Sequence, residues 1–170
     1  FQGEQGLENF KAELEAFILH SLGQDYGKDT TRLVLISPIA FEDLSDMMDL
    51  PDGVEENKNL KLYTEGMREV AARHGVPFVD VFSPSKKWIA ESEKPLTVDG
   101  SQLTEEGYKR LGTYLADQIF GSGKRAPARN EKSVHAAVLE KNWMWHNDFK
   151  IPNGVHAYGR RYDHFVPDNY

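Results

Sequence analysis

The sequence predicts an α/β fold in which helices are layered on a parallel sheet, and two observations carry that prediction. Residues 32–37 contain a short continuous apolar run, as expected of a strand buried on both faces, and the mainly apolar residues 78–82 are predicted to form the next strand. Amphipathic segments precede, separate and follow them, and this alternation implies parallel strands joined by crossovers. Because two strands cannot cover three amphipathic helices, we expect part of the sheet to be absent from this chain.

The first two helices are predicted from apolar stripes. Residues 6–21 place apolar side chains three and four positions apart, which is typical of one helix face. Residues 57–74 repeat this pattern, with Gly75 placed to end the helix and Pro77 unable to continue it. Between the first strand and the second helix, the polar residues 41–57 are expected to form a long surface loop.

Two further helix starts are predicted from capping residues. Ser83 and Pro84 resemble an N-cap followed by proline at the first helical position, which predicts a short helix through Trp88. A longer amphipathic helix is predicted to start near Thr104.

The chain is predicted to divide into three parts. Residues 1–121 form the partial α/β domain, 122–130 a linker, and 131–170 a short helix followed by an extended strap. The strap is rich in aromatic side chains, namely Trp143, Trp145, Phe149, Tyr158, Tyr162, Phe165 and Tyr170. Such a segment is insoluble when exposed, so we expect it to dock on another surface. Stacking on sugar rings is the second interpretation of these aromatic residues.

Composition excludes several classes of function. A net charge of -7, from 27 acidic and 20 basic residues, argues against nucleic acid as a partner. The absence of cysteine excludes disulfides, thiolate metal sites and thiol nucleophiles. No histidine pair has metal-ligand spacing, so we expect neither a metal nor another cofactor. No apolar run reaches the roughly 18–20 residues that span a bilayer, and residues 1–3 do not resemble a signal peptide.

One segment carries the functional prediction. Asp99-Gly-Ser-Gln102-Leu-Thr-Glu-Glu-Gly-Tyr108 resembles the last motif of SGNH/GDSL-type ester hydrolases, Asp-x-x-His before the final helix, at every position but one. Three upstream stretches follow the order and spacing of the same family, and residues 1–4 resemble the end of its third motif. The stretches are 32–40, 59–63 and 75–82. The chain is most similar to SGNH domains common in large exported proteins of planctomycetes and related bacteria.

The resemblance implies a partial, flavodoxin-like three-layer sandwich whose nucleophilic serine and oxyanion-hole residues lie in motifs absent from this chain. Asp99 takes the position of the triad aspartate, and Gln102 occupies the position of the histidine. A carboxamide neither accepts nor donates a proton near neutral pH, so we expect no ester hydrolysis by this chain. The implied partner is the missing N-terminal half or another protein chain. The implied substrate is a carbohydrate or acyl ester, and the implied location is periplasmic or extracellular.

Other interpretations stay open at this point. A non-catalytic scaffold subunit would retain the esterase fold for its surface, and a sugar-binding module would use the aromatic tail. Asp99 followed by Gly100 is also a common turn sequence. Ser37 and Ser83 each end a predicted strand, where catalytic residues of α/β sheets often lie. Both precede proline and lack a nucleophile-elbow motif, so we expect structural roles for them.

Overall fold

The computed structural model describes residues 2–24, 31–122 and 130–149, and in these ranges the chain is mixed α/β and mostly helical. It divides into two units, Phe1–Lys124 and Arg125–Tyr170. The elements of the first unit are α1 (Glu4–Leu22), β1 (Leu35–Ile36), α2 (Val54–Arg73), β2 (Phe78–Val79), α3 (Phe82–Glu91) and α4 (Glu105–Phe120). The second unit contains α5 (Glu131–Phe149).

The sheet of the first unit consists of β1 and β2, which pair in parallel as predicted. Leu35 N–H donates to the Pro77 carbonyl at 2.9 Å and Ser37 N–H to the Val79 carbonyl at 3.0 Å. Each strand has two residues, fewer than predicted. Beyond them, the side chain of Ser37, instead of its backbone, binds the segment that follows β2. The Ser37 hydroxyl oxygen accepts hydrogen bonds from the amides of Val81 and Phe82 at 2.8 and 3.0 Å. The full three-layer sandwich is not seen among the described residues.

The core of this unit lies where α1 and α2 pack on one face of the sheet. Its buried members are Ile18 of α1, Leu35 of β1, Val70 and Ala71 of α2, and Val76. Burial of apolar side chains such as these is a main source of the stability of the unit.

The end of α2 confirms the predicted role of Gly75. Its φ of +63° lies in the left-handed region that favours glycine. Val76 N–H donates to the Ala71 carbonyl at 2.9 Å, and Gly75 N–H to the Ala72 carbonyl at 3.2 Å. Both hydrogen bonds of a Schellman motif are therefore present, and they satisfy carbonyls that the helix leaves unpaired.

The starts of two helices differ from the prediction. Helix α2 begins at Val54 rather than 57, since the Asp52 carboxylate accepts a hydrogen bond from the Val54 amide at 3.0 Å. Helix α3 begins at Phe82, so Ser83 is not its N-cap. The Asp80 carboxylate instead accepts hydrogen bonds from the Ser83 amide at 3.0 Å and the Ser83 hydroxyl at 2.8 Å.

The second unit contributes one described helix, α5, which extends four residues past the predicted end at 145. It exposes large apolar side chains, namely Val134, Val138, Leu139, Trp143, Met144 and Trp145. The predicted strap beyond this helix and residues 123–129 of the predicted linker lie outside the described residues. Within the described ranges, no helix combines the length and apolar character needed to cross a bilayer.

Candidate functional site

The loop that carries Asp99 is a closed turn between α3 and α4. Thr97 and Leu103 form an antiparallel bridge at its base. Val98 N–H donates to the Gln102 carbonyl at 2.8 Å, and Thr104 N–H donates to the Leu96 carbonyl at 2.8 Å. These bonds hold residues 99–102 at the tip, directly before the first turn of α4.

The structure brings Asp99 and Gln102 together. Asp99 Oδ1 accepts hydrogen bonds from the Gln102 amide at 2.7 Å, the Ser101 amide at 2.9 Å and the Ser101 hydroxyl at 3.0 Å. The bond from the Gln102 amide, followed by those from Ser101, lowers the pKa of Asp99 below its ordinary value. The carboxylate is therefore ionised at neutral pH. All three bonds end on Oδ1, which leaves Oδ2 for a further donor.

Helix α4 begins where the sequence predicts. Gly107, in its first turn, explains how closely the helix approaches the loop. The Thr104 hydroxyl oxygen accepts a hydrogen bond from the Gly107 amide at 3.3 Å, which caps the helix. A Cβ at Gly107 would lie 2.5 Å from the Leu96 carbonyl oxygen. Only glycine therefore lets the first turn of α4 pack against the strand-like segment that leads into the loop.

Neither serine that follows a predicted strand has the surroundings of a nucleophile. Ser37 is 5% exposed, and its hydroxyl accepts from the amides of Val81 and Phe82 while donating to the Pro38 carbonyl at 3.1 Å. The Ser83 hydroxyl donates to Asp80. These contacts give both serines structural roles and provide no adjacent imidazole to remove a proton. Among the described residues, no group of three or more His, Asp or Glu side chains has the geometry of a metal site.

A buried carboxylate that the sequence did not reveal supports the loop. Glu42 is 5% exposed, and its carboxylate accepts hydrogen bonds from the Leu96 amide at 3.0 Å and the Thr97 amide at 2.6 Å. The Thr97 hydroxyl donates to the same carboxylate at 2.6 Å. Residues 41–57 are predicted to form a surface loop, yet Glu42 and Leu44 are buried, as is Ala40 just before them. The sequence signal for this burial is that the three residues alternate along the chain, as in a strand with one buried face, although a glutamate takes the middle position.

Gly100 is held between the two loops. Its carbonyl accepts a hydrogen bond from the Glu42 amide at 2.9 Å, and its amide donates to the Thr97 hydroxyl oxygen at 3.1 Å. Its φ of +84° favours glycine, and a Cβ would overlap the ring of Phe41. The segment after β1 is thereby fixed against the tip that carries Asp99.

The start of α2 completes this arrangement. The Asn57 side chain pairs with the backbone of Phe41, accepting from its amide at 2.9 Å and donating to its carbonyl at 2.8 Å. Three segments therefore converge beyond the carboxyl end of β1, and ligand sites of open α/β sheets lie at this end.

A cleft of about 430 Å³ lies where these segments meet. It is lined by Pro38, Ile39, Ala40, Phe41, Glu55, Glu56, Asn59, Leu60 and Ser101. Ser101 donates two hydrogen bonds to Asp99, so the cleft borders the Asp99 loop directly. Its volume is in the range of small-molecule sites, and its lining combines apolar side chains with two carboxylates and one amide.

Comparison with protein-family models, curated proteins and solved structures finds no match to this chain.

Proposed function

We propose that this chain is the C-terminal portion of an SGNH/GDSL-type ester hydrolase in which the catalytic base has been replaced by glutamine. The observation that carries the proposal is the 2.7 Å hydrogen bond from the backbone amide of Gln102 to the Asp99 carboxylate, at the entrance to α4. It fixes residues 99 and 102 as neighbours beside a cleft at the carboxyl end of a parallel strand. The parallel pair β1–β2, with helices on it, is compatible with part of a three-layer flavodoxin-like sandwich.

Asp99 has the properties that a triad aspartate needs. Its carboxylate is ionised at neutral pH, and backbone donors fix its orientation. Such a group holds an imidazole in the productive tautomer and stabilises the imidazolium that forms during serine attack.

Because Gln102 stands at the histidine position, the proton-transfer step of the mechanism has no base. An attacking serine must pass its proton to a base, and that base must return it to the leaving alcohol. The Gln102 carboxamide does neither, so it leaves the chain without this base. Loss of a triad member leaves at most a residual rate enhancement of about 10³–10⁴ over water, even where the remaining site is intact.

The cleft favours an acyl ester of a carbohydrate as the ancestral substrate class. Ile39 and Leu60 supply apolar surface for an acyl chain, whereas Glu55, Glu56 and Asn59 supply acceptors for sugar hydroxyls.

An assay of p-nitrophenyl acetate hydrolysis tests the proposal on the protein at its natural length. The wild type should stay near the uncatalysed rate, and Gln102→His should raise kcat by about 10²-fold or more by restoring a base. Gln102→Asn is the matched control and should give no gain. Absence of any gain in a folded Gln102→His variant would contradict the hydrolase assignment, and turnover by the wild type would contradict its silence.

A non-catalytic scaffold subunit is the second candidate, and α5 is the observation that favours it. This helix exposes Trp143 by 68% and Trp145 by 62%, together with four aliphatic or methionine side chains. Aromatic side chains of this kind dominate protein interfaces. If neither the wild type nor Gln102→His hydrolyses the ester, while Trp143→Ala weakens assembly without unfolding the chain, the scaffold function is the better account.

A further inference from the structure

We infer that Phe41 determines which esters the cleft accepts, because its ring forms the floor of the apolar part and limits the acyl group to a short one. The inference rests on the proposed ester-binding function and narrows its substrate, but it does not depend on hydrolysis. It follows from the lining of the cleft, the position of the Phe41 ring, the buried glycines behind that ring, and the anchoring of its backbone.

The lining of the cleft has an apolar part and a polar part. The apolar part is the segment after β1, residues 38–41, together with Leu60. The polar part is formed by Glu55, Glu56 and Asn59 near the start of α2. Carboxylates and an amide bind sugar hydroxyls and not an acyl chain, so the acyl group lies along residues 38–41. The cleft of about 430 Å³ also holds the alcohol of the ester, which leaves limited room for the acyl group.

The Phe41 ring lies between the cleft and two glycines that do not line it. A Cβ built at Gly100 would lie 2.7 and 2.8 Å from Cε1 and Cε2 of the ring, and one built at Gly53 would lie 3.0 Å from Cδ1. Both glycines are buried, with φ of +84° at Gly100 and +78° at Gly53. Because both positions exclude larger residues, the ring fills the space in front of them. The ring is therefore the floor of the cleft at this end.

The backbone that carries this ring is fixed by three neighbouring segments. The Ala40 amide donates to the Ser85 hydroxyl oxygen of α3 at 2.8 Å. The Asn57 side chain of α2 binds both the amide and the carbonyl of Phe41, at 2.9 and 2.8 Å. The amide of the next residue donates to the Gly100 carbonyl at 2.9 Å. Since three successive residues are held in this way, the floor does not yield when a longer acyl chain enters.

A fixed floor sets a limit on chain length. Each methylene group that a ligand buries against apolar surface raises its affinity about fourfold. This gain stops at the carbon that meets the Phe41 ring, because further carbons of the chain stay in water. Removal of the ring would open the space in front of Gly53 and Gly100, so the affinity of longer esters would continue to rise.

Methyl NMR of the isoleucine-labelled protein at its natural length tests this inference, with methyl acetate, butyrate, hexanoate and octanoate as equilibrium ligands. The Ile39 methyl group lines the cleft and reports binding, whereas that of Ile18, buried in the core, should not shift and reports that the chain stays folded. In the wild type, the affinity should stop rising with chain length within this series. In Phe41→Ala it should continue to rise, so that methyl octanoate binds at least ~10-fold more tightly than to the wild type.

Two further variants separate a role in specificity from a loss of structure. Phe41→Leu keeps an apolar side chain in front of the glycines and should bind methyl octanoate about threefold more tightly than the wild type. Leu60→Ala, the matched control, removes apolar lining from α2 and should weaken all the esters by a similar factor, leaving the limit on chain length unchanged. An unchanged limit in both Phe41 variants, with the Ile39 methyl group still responding to methyl butyrate, would overturn the role of Phe41 and leave ester binding standing. Absence of an Ile39 response to any of the esters would contradict the proposed substrate class as well.

Discussion

The carboxylate of Glu42 binds Thr97 twice, with the backbone nitrogen and the side-chain hydroxyl each 2.6 Å from Oε2. The Thr97 hydroxyl oxygen in turn accepts a hydrogen bond from the Gly100 amide at 3.1 Å. This chain of bonds connects a buried carboxylate after β1 to the tip of the loop that carries Asp99. The position of Asp99 therefore depends on a residue 57 positions earlier in the sequence.

Glu42→Gln is expected to destabilise the first unit by about 1–3 kcal/mol. The carboxamide would place an NH₂ group where Oε1 accepts from the Leu96 amide, so two donors would face each other, and the bonds to the remaining oxygen would lose the strength that the charge gives them. Urea unfolding measures the change, and Glu93→Gln at an exposed position of the neighbouring segment is the matched control. Equal stability of the two variants would show that the buried bonds do not hold the loop.

Gly107→Ala is expected to cost about 1–3 kcal/mol, because the new Cβ would lie 2.5 Å from the Leu96 carbonyl oxygen and force the helix away from the loop. Gly112→Ala on the same helix has nothing within 4 Å of its Cβ. That change should stabilise the chain by about 0.5–1 kcal/mol through helix propensity. Thermal unfolding of both variants gives the comparison. The predicted packing would be wrong if the two substitutions changed stability in the same direction.

Acid should weaken the contact between α1 and α2. The hydrogen bond from His74, and to a smaller extent Arg73, lowers the pKa of Glu15 from its ordinary 4.5 against the opposing effect of burial. The hydrogen bond from Lys11 lowers the pKa of Glu69 in the same way. A lowered pKa means that the unfolded chain binds the proton first, so this stabilisation is complete above about pH 4.5. It is lost as pH falls through the lower pKa of the folded state.

Thermal unfolding between pH 6 and pH 3 measures this dependence. The double variant Glu15→Gln, Glu69→Gln should show a shallower fall of Tm with acidification, because both titrating carboxylates are gone. Glu13→Gln, on the exposed side of α1, is the control and should retain the wild-type slope. Parallel curves for the double variant and the wild type would mean that these ion pairs do not contribute to the pH dependence.

The parts of the fold that sequence predicted are those set by local chemistry. The start of α4 follows from Thr104, and the end of α2 follows from Gly75, since capping depends on residues within one helical turn. Parallel pairing of the two strands was also predicted, because the alternation of helix and strand leaves no short hairpin between them.

The parts that sequence did not predict depend on contacts between distant residues. Strand β1 is short because the Ser37 side chain binds amides 44 and 45 positions away, which no local pattern encodes. Ser83 is of a residue type typical of N-caps, but α3 begins one residue earlier with Val81 at the N-cap position, and the Ser83 amide donates to the Asp80 carboxylate. Glu42 looks like a surface residue until its partners at Leu96 and Thr97 are known. Asp99 and Gln102 are three positions apart in one motif, so their proximity required no such information.

We propose that Asp99 is placed to orient an imidazole at position 102, and NMR titration of Gln102→His in this chain tests this placement most directly. An ionised carboxylate beside the new imidazole should raise its pKa above the ordinary value of about 6.5. Adding Asp99→Asn should return that pKa toward about 6.5, since the charge is removed while an oxygen for the Ser101 and Gln102 amides remains. An introduced imidazole that titrates at the same pH with and without the Asp99 charge would contradict the claim.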